Sequence, residues 1–378
     1  MATPRNADYI KEYNRKAFLR ILRGAPTTRT SIVKATGLSR TAVSLIADEL
    51  LDEGFIEEMD GAPENAPKKK NSSYLRMREG NTFAAGVYLN RDGCTAGIVD
   101  ICGNVVAKRR LHLSGFRVGE KLDPLADAVA DMISESGINA GHIIGLGLSA
   151  PGPLDEKSGR ILNPPRFDLW HNTAIVDYLE DKLDMPVYLE NNTSCLARYN
   201  YKKPGTGGSE DYMLLLVDSG VGAGIVSGGH VLLGRGNAAG EFGHISINFM
   251  GERCSCGNVG CLESYAAVPA LLKGTSFGSW NEVADSDSEE AAELIDRECA
   301  YLSAGVVSVA NLINIDTVLL AGDLLYGVER VMYKIEDMIN SRTIRRNLQK
   351  IRVLPAFSGP DMKVQAAADI AFGRFLRI

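Results

Sequence analysis

The sequence lacks any apolar run near the roughly 18 residues that a bilayer-spanning helix needs. Its first stretch, Met1-Ala-Thr-Pro-Arg-Asn-Ala-Asp8, has no apolar core of the kind a secretory signal carries. A cytoplasmic protein with no membrane partner is therefore expected. Histidine is scarce, at 5 in 378 residues, and there are 7 cysteines. Four of these (Cys94, Cys102, Cys195, Cys299) are scattered and read as reduced, small apolar side chains, since nothing points to an oxidising compartment. A strong excess of one charge is also missing, because the formal net is only −6. That charge is uneven, however. Residues 1–78 hold 14 Lys/Arg against 10 Asp/Glu, a net of +4, which leaves the rest at −10. A basic head on an acidic body places any nucleic-acid contact at the N-terminal end. Glycine is abundant, at 39 residues, as tight turns or ligand loops require. The length predicts two or three domains.

Between Gly240 and Glu263 the chain gathers one histidine, three cysteines and two carboxylates: Gly240-Glu-Phe-Gly-His244, then Cys254-Ser-Cys256-Gly-Asn-Val-Gly-Cys261-Leu-Glu263. His244, Cys254, Cys256 and Cys261 form a soft N/S set of the kind that selects zinc, with free thiols as the alternative. Four protein ligands make a structural site with no open position for hydrolytic water. Glu241 and Glu263 are not needed for a four-coordinate metal and stand available for another ligand, or as structural partners.

At the N-terminus, residues 9–23 have helical periodicity, with Ile10, Tyr13, Ala17 and Ile21 on one stripe beside Phe18 and Leu22. A short helix over Thr28–Thr36, the turn Gly37-Leu38-Ser39 and a helix from Arg40 to Glu53 make a helix-turn-helix, with Ser39 as the second N-cap. Val43, Ile46, Ala47 and Leu50 form its packing face. Arg40, Thr41 and Ser44 lie off that stripe near the N-terminal end, where a recognition helix meets base edges. Strands near 54–58 and 74–78 flank a loop carrying Lys68, Lys69 and Lys70, which makes a wing. The three lysines would neutralise phosphates, or form a solvated linker.

From Thr82 three strands (83–89, 95–100, 105–113) precede a helix (122–135), a strand (143–149), a helix (173–183) and a strand (187–190). Antiparallel strands followed by α/β alternation predict one half of an actin-like fold. A second half follows: strand 211–218, the glycine loop Ser219–Gly224, the pair 225–227 and 230–233, helices, strand 317–320 and a helix from Asp361. The glycine loop is either a phosphate cradle or a close backbone approach.

Taken together, the chain resembles the ROK family (repressors, open reading frames, kinases), in the branch of sugar-responsive repressors with an N-terminal winged helix. Gly240–His244 with Cys254–Glu263 carries most of the likeness, joined by Ala150-Pro-Gly-Pro-Leu-Asp155 and Leu189-Glu-Asn-Asn192. The resemblance implies an α/β chain: a winged helix-turn-helix (1–78) on a two-lobed actin-like, ribonuclease H-like ROK domain. The first lobe is expected over 82–195, with helix 361–378 returning to it, and the second over 196–360 with the zinc motif. It implies a sugar held by Asn191, Asn192, Glu241, His244 and Glu263. Family kinases carry Glu-Asn-Asp, whose Asp takes the sugar hydroxyl proton, and this sequence has Asn192 there, which cannot serve as that base. Their Asp-x-Gly-Gly-Thr phosphate loop aligns with Tyr88-Leu-Asn90-Arg91-Asp92, which shares none of it. The expectation is a non-enzymatic repressor of carbohydrate-catabolism genes that binds operator DNA and a sugar, contains structural zinc and acts as a homodimer or homotetramer. A sugar kinase with a DNA-binding head, or a repressor gated by a partner protein, are the alternatives. Arg166 either faces the cleft, favouring an acidic or phosphorylated sugar, or lies on the surface.

Overall fold

A computed structural model describes residues 7–63, 73–90, 93–112, 122–165, 167, 170–201, 203 and 208–376. The wing-loop lysines 68–70 and Arg166 lie outside these described residues. The head runs through helix α1 (Ala7–Gly24), strand β1 (Thr27–Thr28), helices α2 (Arg29–Thr36) and α3 (Arg40–Asp52), and strands β2 (Ile56–Met59) and β3 (Tyr74–Met77). Local chemistry sets its corners. Thr28 accepts from Ser31 N and Ser39 accepts from Ala42 N, capping α2 and α3. Gly37 ends α2 with φ at +72°, the left-handed region that glycine enters without strain. β3 lies between β1 and β2 in an antiparallel sheet, and Glu57 faces Arg76 across it in a 2.5 Å ion pair. Two-residue β1 is too short to signal itself by periodicity.

The expected stripe on α3 is buried. On α1 the expectation fails in part: Ile10 and Tyr13 are 50% and 45% exposed, while Phe18, Leu19 and Leu22 are buried. The first turns of α1 project beyond the head's core.

The first lobe holds β4 (Phe83–Asn90), β5 (Gly93–Asp100), β6 (Val105–His112), α4 (Leu122–Ser136), β7 (Ile143–Ala150), the short strands β8 (Leu154–Asp155), β9 (Arg160–Ile161) and β10 (Thr173–Ala174), α5 (Ile175–Leu183) and β11 (Val187–Asn191). Its main sheet has the order β11-β7-β4-β5-β6, with β4, β5 and β6 antiparallel and β7 and β11 parallel to β4. Helix α6 (Asn192–Asn200) leads to the second lobe: β12 (Tyr212–Val217), β13 (Val221–Ser227), β14 (His230–Val231), α7 (Glu263–Ala266), α8 (Val268–Leu271), α9 (Trp280–Asp285), α10 (Glu289–Ile313), β15 (Thr317–Gly322), α11 (Glu329–Arg342) and β16 (Arg352–Pro355). Its sheet order is β14-β13-β12-β15-β16. The C-terminal helix α12 (Met362–Phe375) packs on β4, β5 and β7 of the first sheet.

Glycine lets α12 lie flat on that sheet. A Cβ on Gly147 would stand 1.9 Å from the Ala367 carbonyl oxygen, and one on Gly86 would stand 2.5 Å from that of Val364. The glycine loop expected at 219–224 is largely strand. Val221–Gly224 belong to β13, and a Cβ on Gly224 would stand 2.2 Å from the Thr193 carbonyl oxygen. These glycines admit α6 against the strand, so close backbone approach accounts for them.

One apolar cluster joins head to body. Phe18, Leu22, Ile32, Val43 and Leu50 share a core with Val364, Ala368, Ala371 and Phe372 of α12. Arg23 at the end of α1 reaches across to Asp369 at 2.5 Å.

Candidate functional site

The four expected metal ligands converge. The ligand atoms of His244, Cys254, Cys256 and Cys261 all lie within 4.8 Å of one another. Cys256 and Cys261 Sγ are 3.7 Å apart, and Cys254 Sγ is 3.7 Å from His244 Nδ1. Tetrahedral bonds of about 2.3 Å place sulfurs about 3.8 Å apart, so this spacing suits a four-coordinate metal. Burial acts to raise the Cys254 pKa, but hydrogen bonds from Cys256, His244 and Ser264 outweigh it and bring the thiol down to about 6. Cys261 is pushed up to about 12 by burial and by the two neighbouring thiols. A metal bound here would take the cysteines as thiolates. Nδ1 of His244 faces the sulfurs, which leaves Nε2 on the far side of the ring.

The two carboxylates lie near this histidine. Burial raises the Glu241 pKa, the charge on His244 lowers it, and Glu263 raises it again, so the three stand within electrostatic reach. Glu263 is 5% exposed, and its Oε2 accepts from the Val221 amide at 3.0 Å. Gly243 is obligatory between them, since a Cβ there would stand 2.2 Å from the Val221 carbonyl oxygen.

Asn191 approaches from the other lobe. Its Oδ1 caps α6 by accepting from Thr193 N and Oγ1 at 2.8 and 2.7 Å. Its Nδ2 and Glu241 Oε1 close on Gly152 from two sides, 2.5 and 2.7 Å from where a Cβ would stand. Gly152 was not singled out by sequence, although the Ala150-Pro-Gly-Pro153 turn marks its place. Asn191 and Glu241 thus meet at Gly152, and Glu241 in turn stands near His244 and Glu263.

Asn192 points elsewhere. It is 9% exposed, its Oδ1 accepts from Ser149 Oγ at 2.6 Å, and its Nδ2 donates to the Leu89 carbonyl at 2.9 Å. The amide ties α6 to β7 and β4, leaving one lone pair and one N–H uncommitted. Tyr88, in the aligned phosphate window, is 3% exposed and packs with Cys195, Leu196 and Leu216. The amino group of Lys363 stands 5.3 Å from the Tyr88 ring centroid. An aromatic side chain fills this position, where a phosphate loop needs open backbone.

In the head, Arg40 and Thr41 are exposed and Ser44 half-buried on the N-terminal turns of α3. Leu45, 61% exposed beside them, is an apolar residue that the sequence reading missed. The acidic groups further along α3 are occupied: Asp48 by Arg29 at 3.0 Å, and Glu49 by Lys11 and Arg15 at 2.9 and 3.1 Å. Such surface pairs add little stability, but they quench negative charge next to the polar tip.

The family model described as ROK family matches residues 84–373. The chain is 27% identical over 369 residues to the DNA-binding transcriptional dual regulator NagC of Escherichia coli (strain K12), covering 92% of this chain and 90% of that one. It is 25% identical over 380 residues to the xylose repressor of Bacillus spizizenii, covering 98% and 97%. A crystal structure of a ROK family transcriptional regulator, a homolog of the E. coli MLC protein, superposes with a TM-score of 0.81 at 23% identity over 97% of both chains. That similarity takes in the winged head as well as both lobes. The chain belongs to the ROK family.

Proposed function

We propose that the chain is a sugar-responsive transcriptional repressor without kinase activity. The observation that carries this reading is the core shared by the DNA-reading head and α12 of the sugar-binding body. A kinase has no use for such a seam, whereas a repressor needs its sugar site and its DNA reader in one mechanical unit. The regulator and repressor names of the relatives support the same reading.

On this reading Arg40, Thr41, Ser44 and Leu45 face operator base edges, and Lys68, Lys69 and Lys70 of the wing meet phosphates. Asn191, Glu241, His244 and Glu263 hold sugar hydroxyls, with the free valences of Asn192 behind them. Zinc bound by His244, Cys254, Cys256 and Cys261 keeps the loop in shape and fixes the His244 ring. Sugar draws Asn191 and Glu241 together and so favours a closed pair of lobes. A ladder of charges links that movement to the head: Glu190 beside Asn191 pairs with Arg198, whose Nε is 3.8 Å from Asp369, which holds Arg23. Differential sugar affinity for two lobe arrangements then alters operator affinity. A homodimer or homotetramer reads two half-sites.

Fluorescence anisotropy on DNA from the chain's own upstream region, with a panel of free sugars and sugar phosphates, tests the proposal. Release by one of them is expected. Tight operator binding indifferent to the whole panel would count against it. So would sugar-dependent ADP production in a coupled assay, because Asn192 supplies no base.

A further inference from the structure

We infer a second ligand site, for a small phosphate monoester, on the outer face of the metal loop. A hollow of about 360 Å³ lies there, and Arg253, Lys273 and Arg297 converge on it from three separate segments. Ser255, Ser264 and Tyr265 add hydroxyls to its wall, and Glu252 is its one carboxylate. Arg253 and Ser255 come from the metal loop, Ser264 and Tyr265 from α7, and Arg297 from α10. The Tyr265 ring is fixed against Tyr301 with centroids 5.4 Å apart, and its hydroxyl accepts from Glu252 N at 3.0 Å.

None of the three cations makes an ion pair or a side-chain hydrogen bond among the described residues. Other cations of the second lobe, such as Arg235, Arg342 and Arg346, also lack a side-chain partner among the described residues, so what marks these three is their convergence on one hollow. Three like charges around one hollow repel each other unless an anion is shared between them. Guanidinium groups grip phosphate oxygens bidentately, and an ammonium adds a point charge. The volume exceeds a bare phosphate, since a water occupies about 30 Å³ of liquid, and leaves room for a small polar body esterified to it. The charged lining excludes an apolar ligand.

The site stands back to back with the sugar cleft. Within α7, Glu263 faces the cleft and holds the Val221 amide. Its neighbour Ser264 lines the hollow and hydrogen-bonds the Cys254 thiol. An anion bound outside therefore bears on the loop that carries His244, which gives the body a second input distinct from the sugar. Direct binding reads this site, so its success or failure is independent of operator and sugar recognition.

The test is titration calorimetry on the full, metal-loaded chain at low ionic strength, with inorganic phosphate and glucose 6-phosphate as probes. Saturable binding is expected, stronger for the ester. Arg253→Ala and Arg297→Ala should each weaken it about tenfold, while Arg297→Lys keeps most of it. Glu241→Gln in the cleft should leave it unchanged. The two arginines and the lysine are all exposed, and an unchanged melting temperature and circular dichroism spectrum confirm that the variants fold. No binding of either probe up to roughly 10 mM would overturn the inference. So would binding that survives the triple Arg253→Ala/Lys273→Ala/Arg297→Ala variant, or that vanishes with Glu241→Gln. If the triple variant instead only flattens the salt dependence of binding to any duplex, the cations serve DNA backbone and the inference fails.

Discussion

The Arg23–Asp369 pair measures how firmly the head is joined to the body. Its oxygen and nitrogen are 2.5 Å apart, and each side chain is 22% exposed. The guanidinium also lies 4.6 Å from the Phe372 ring centroid, and its Nε donates to the Ile101 carbonyl at 3.4 Å. Two unit charges about 4 Å apart attract by about 4 kcal/mol at an effective dielectric of 20. Desolvation and lost rotamer freedom cancel much of that, leaving an expected coupling of about 1–2 kcal/mol, above the usual surface pair. A double-mutant cycle with Arg23→Met and Asp369→Asn, followed by denaturant unfolding, reads this term directly. Asp369→Asn should cost more than Arg23→Met, since it also strips Arg198 of a neighbour at 3.8 Å. Both variants should unfold in one transition if the seam is a true core. Additivity within about 0.5 kcal/mol would show no coupling, and the charge ladder would then have no part in signalling.

Further expectations concern the body. Glu298 is fully buried with neither carboxylate oxygen partnered, and burial raises its pKa well above the usual range. The folded state therefore keeps a proton that the unfolded chain loses above about pH 4.3. Stability should then fall as pH rises past that point, by about 1.4 kcal/mol per unit until the native pKa is reached. Glu298→Gln should remove the slope, and a variant-minus-wild-type difference that stays constant from pH 5 to 7.5 would refute this. Gly224→Ala, with its Cβ 2.2 Å from a backbone oxygen, should cost about 1–3 kcal/mol in unfolding free energy and weaken sugar binding by moving α6. Asn192→Asp restores the kinase residue but loses the donor to the Leu89 carbonyl, so about 1–3 kcal/mol of destabilisation without ADP production is expected. Chelation should lower the melting temperature by roughly 5 °C or more, at 2–4 °C per kcal/mol, and abolish the sugar response. An unchanged melting curve after verified metal removal would eliminate a structural metal.

Local features of the fold were readable from sequence because each is set by neighbours in the chain. Thr28, Gly37 and Ser39 define the helix-turn-helix by backbone chemistry alone, and the ligand spacing from His244 to Cys261 needs no partner from elsewhere. The cleft was readable only through the family likeness. What escaped depends on segments that meet in space. Asn192 has the same identity whether it faces a sugar or Ser149 and Leu89, and only packing decides. Gly222 and Gly224 imitate a phosphate loop because both uses demand a missing side chain. Ile10 and Tyr13 keep helical period beyond the point where a core exists to receive them. Leu45, Gly152 and the hollow beside Tyr265 involve no periodicity at all.

The seam between head and body has a temporal side. Arg23 and Asp369 are 346 residues apart in sequence. At 5–20 residues per second, a ribosome takes on the order of tens of seconds to cover that distance. Throughout that interval Phe18 and Leu22 have no α12 to pack against. A head emerging early is thus an incomplete DNA reader, and its final rigidity waits for the body. A chain cut short before Met362 would present operator DNA with a loosened helix α1, so an unfinished product is poorly equipped to occupy the site of a finished one.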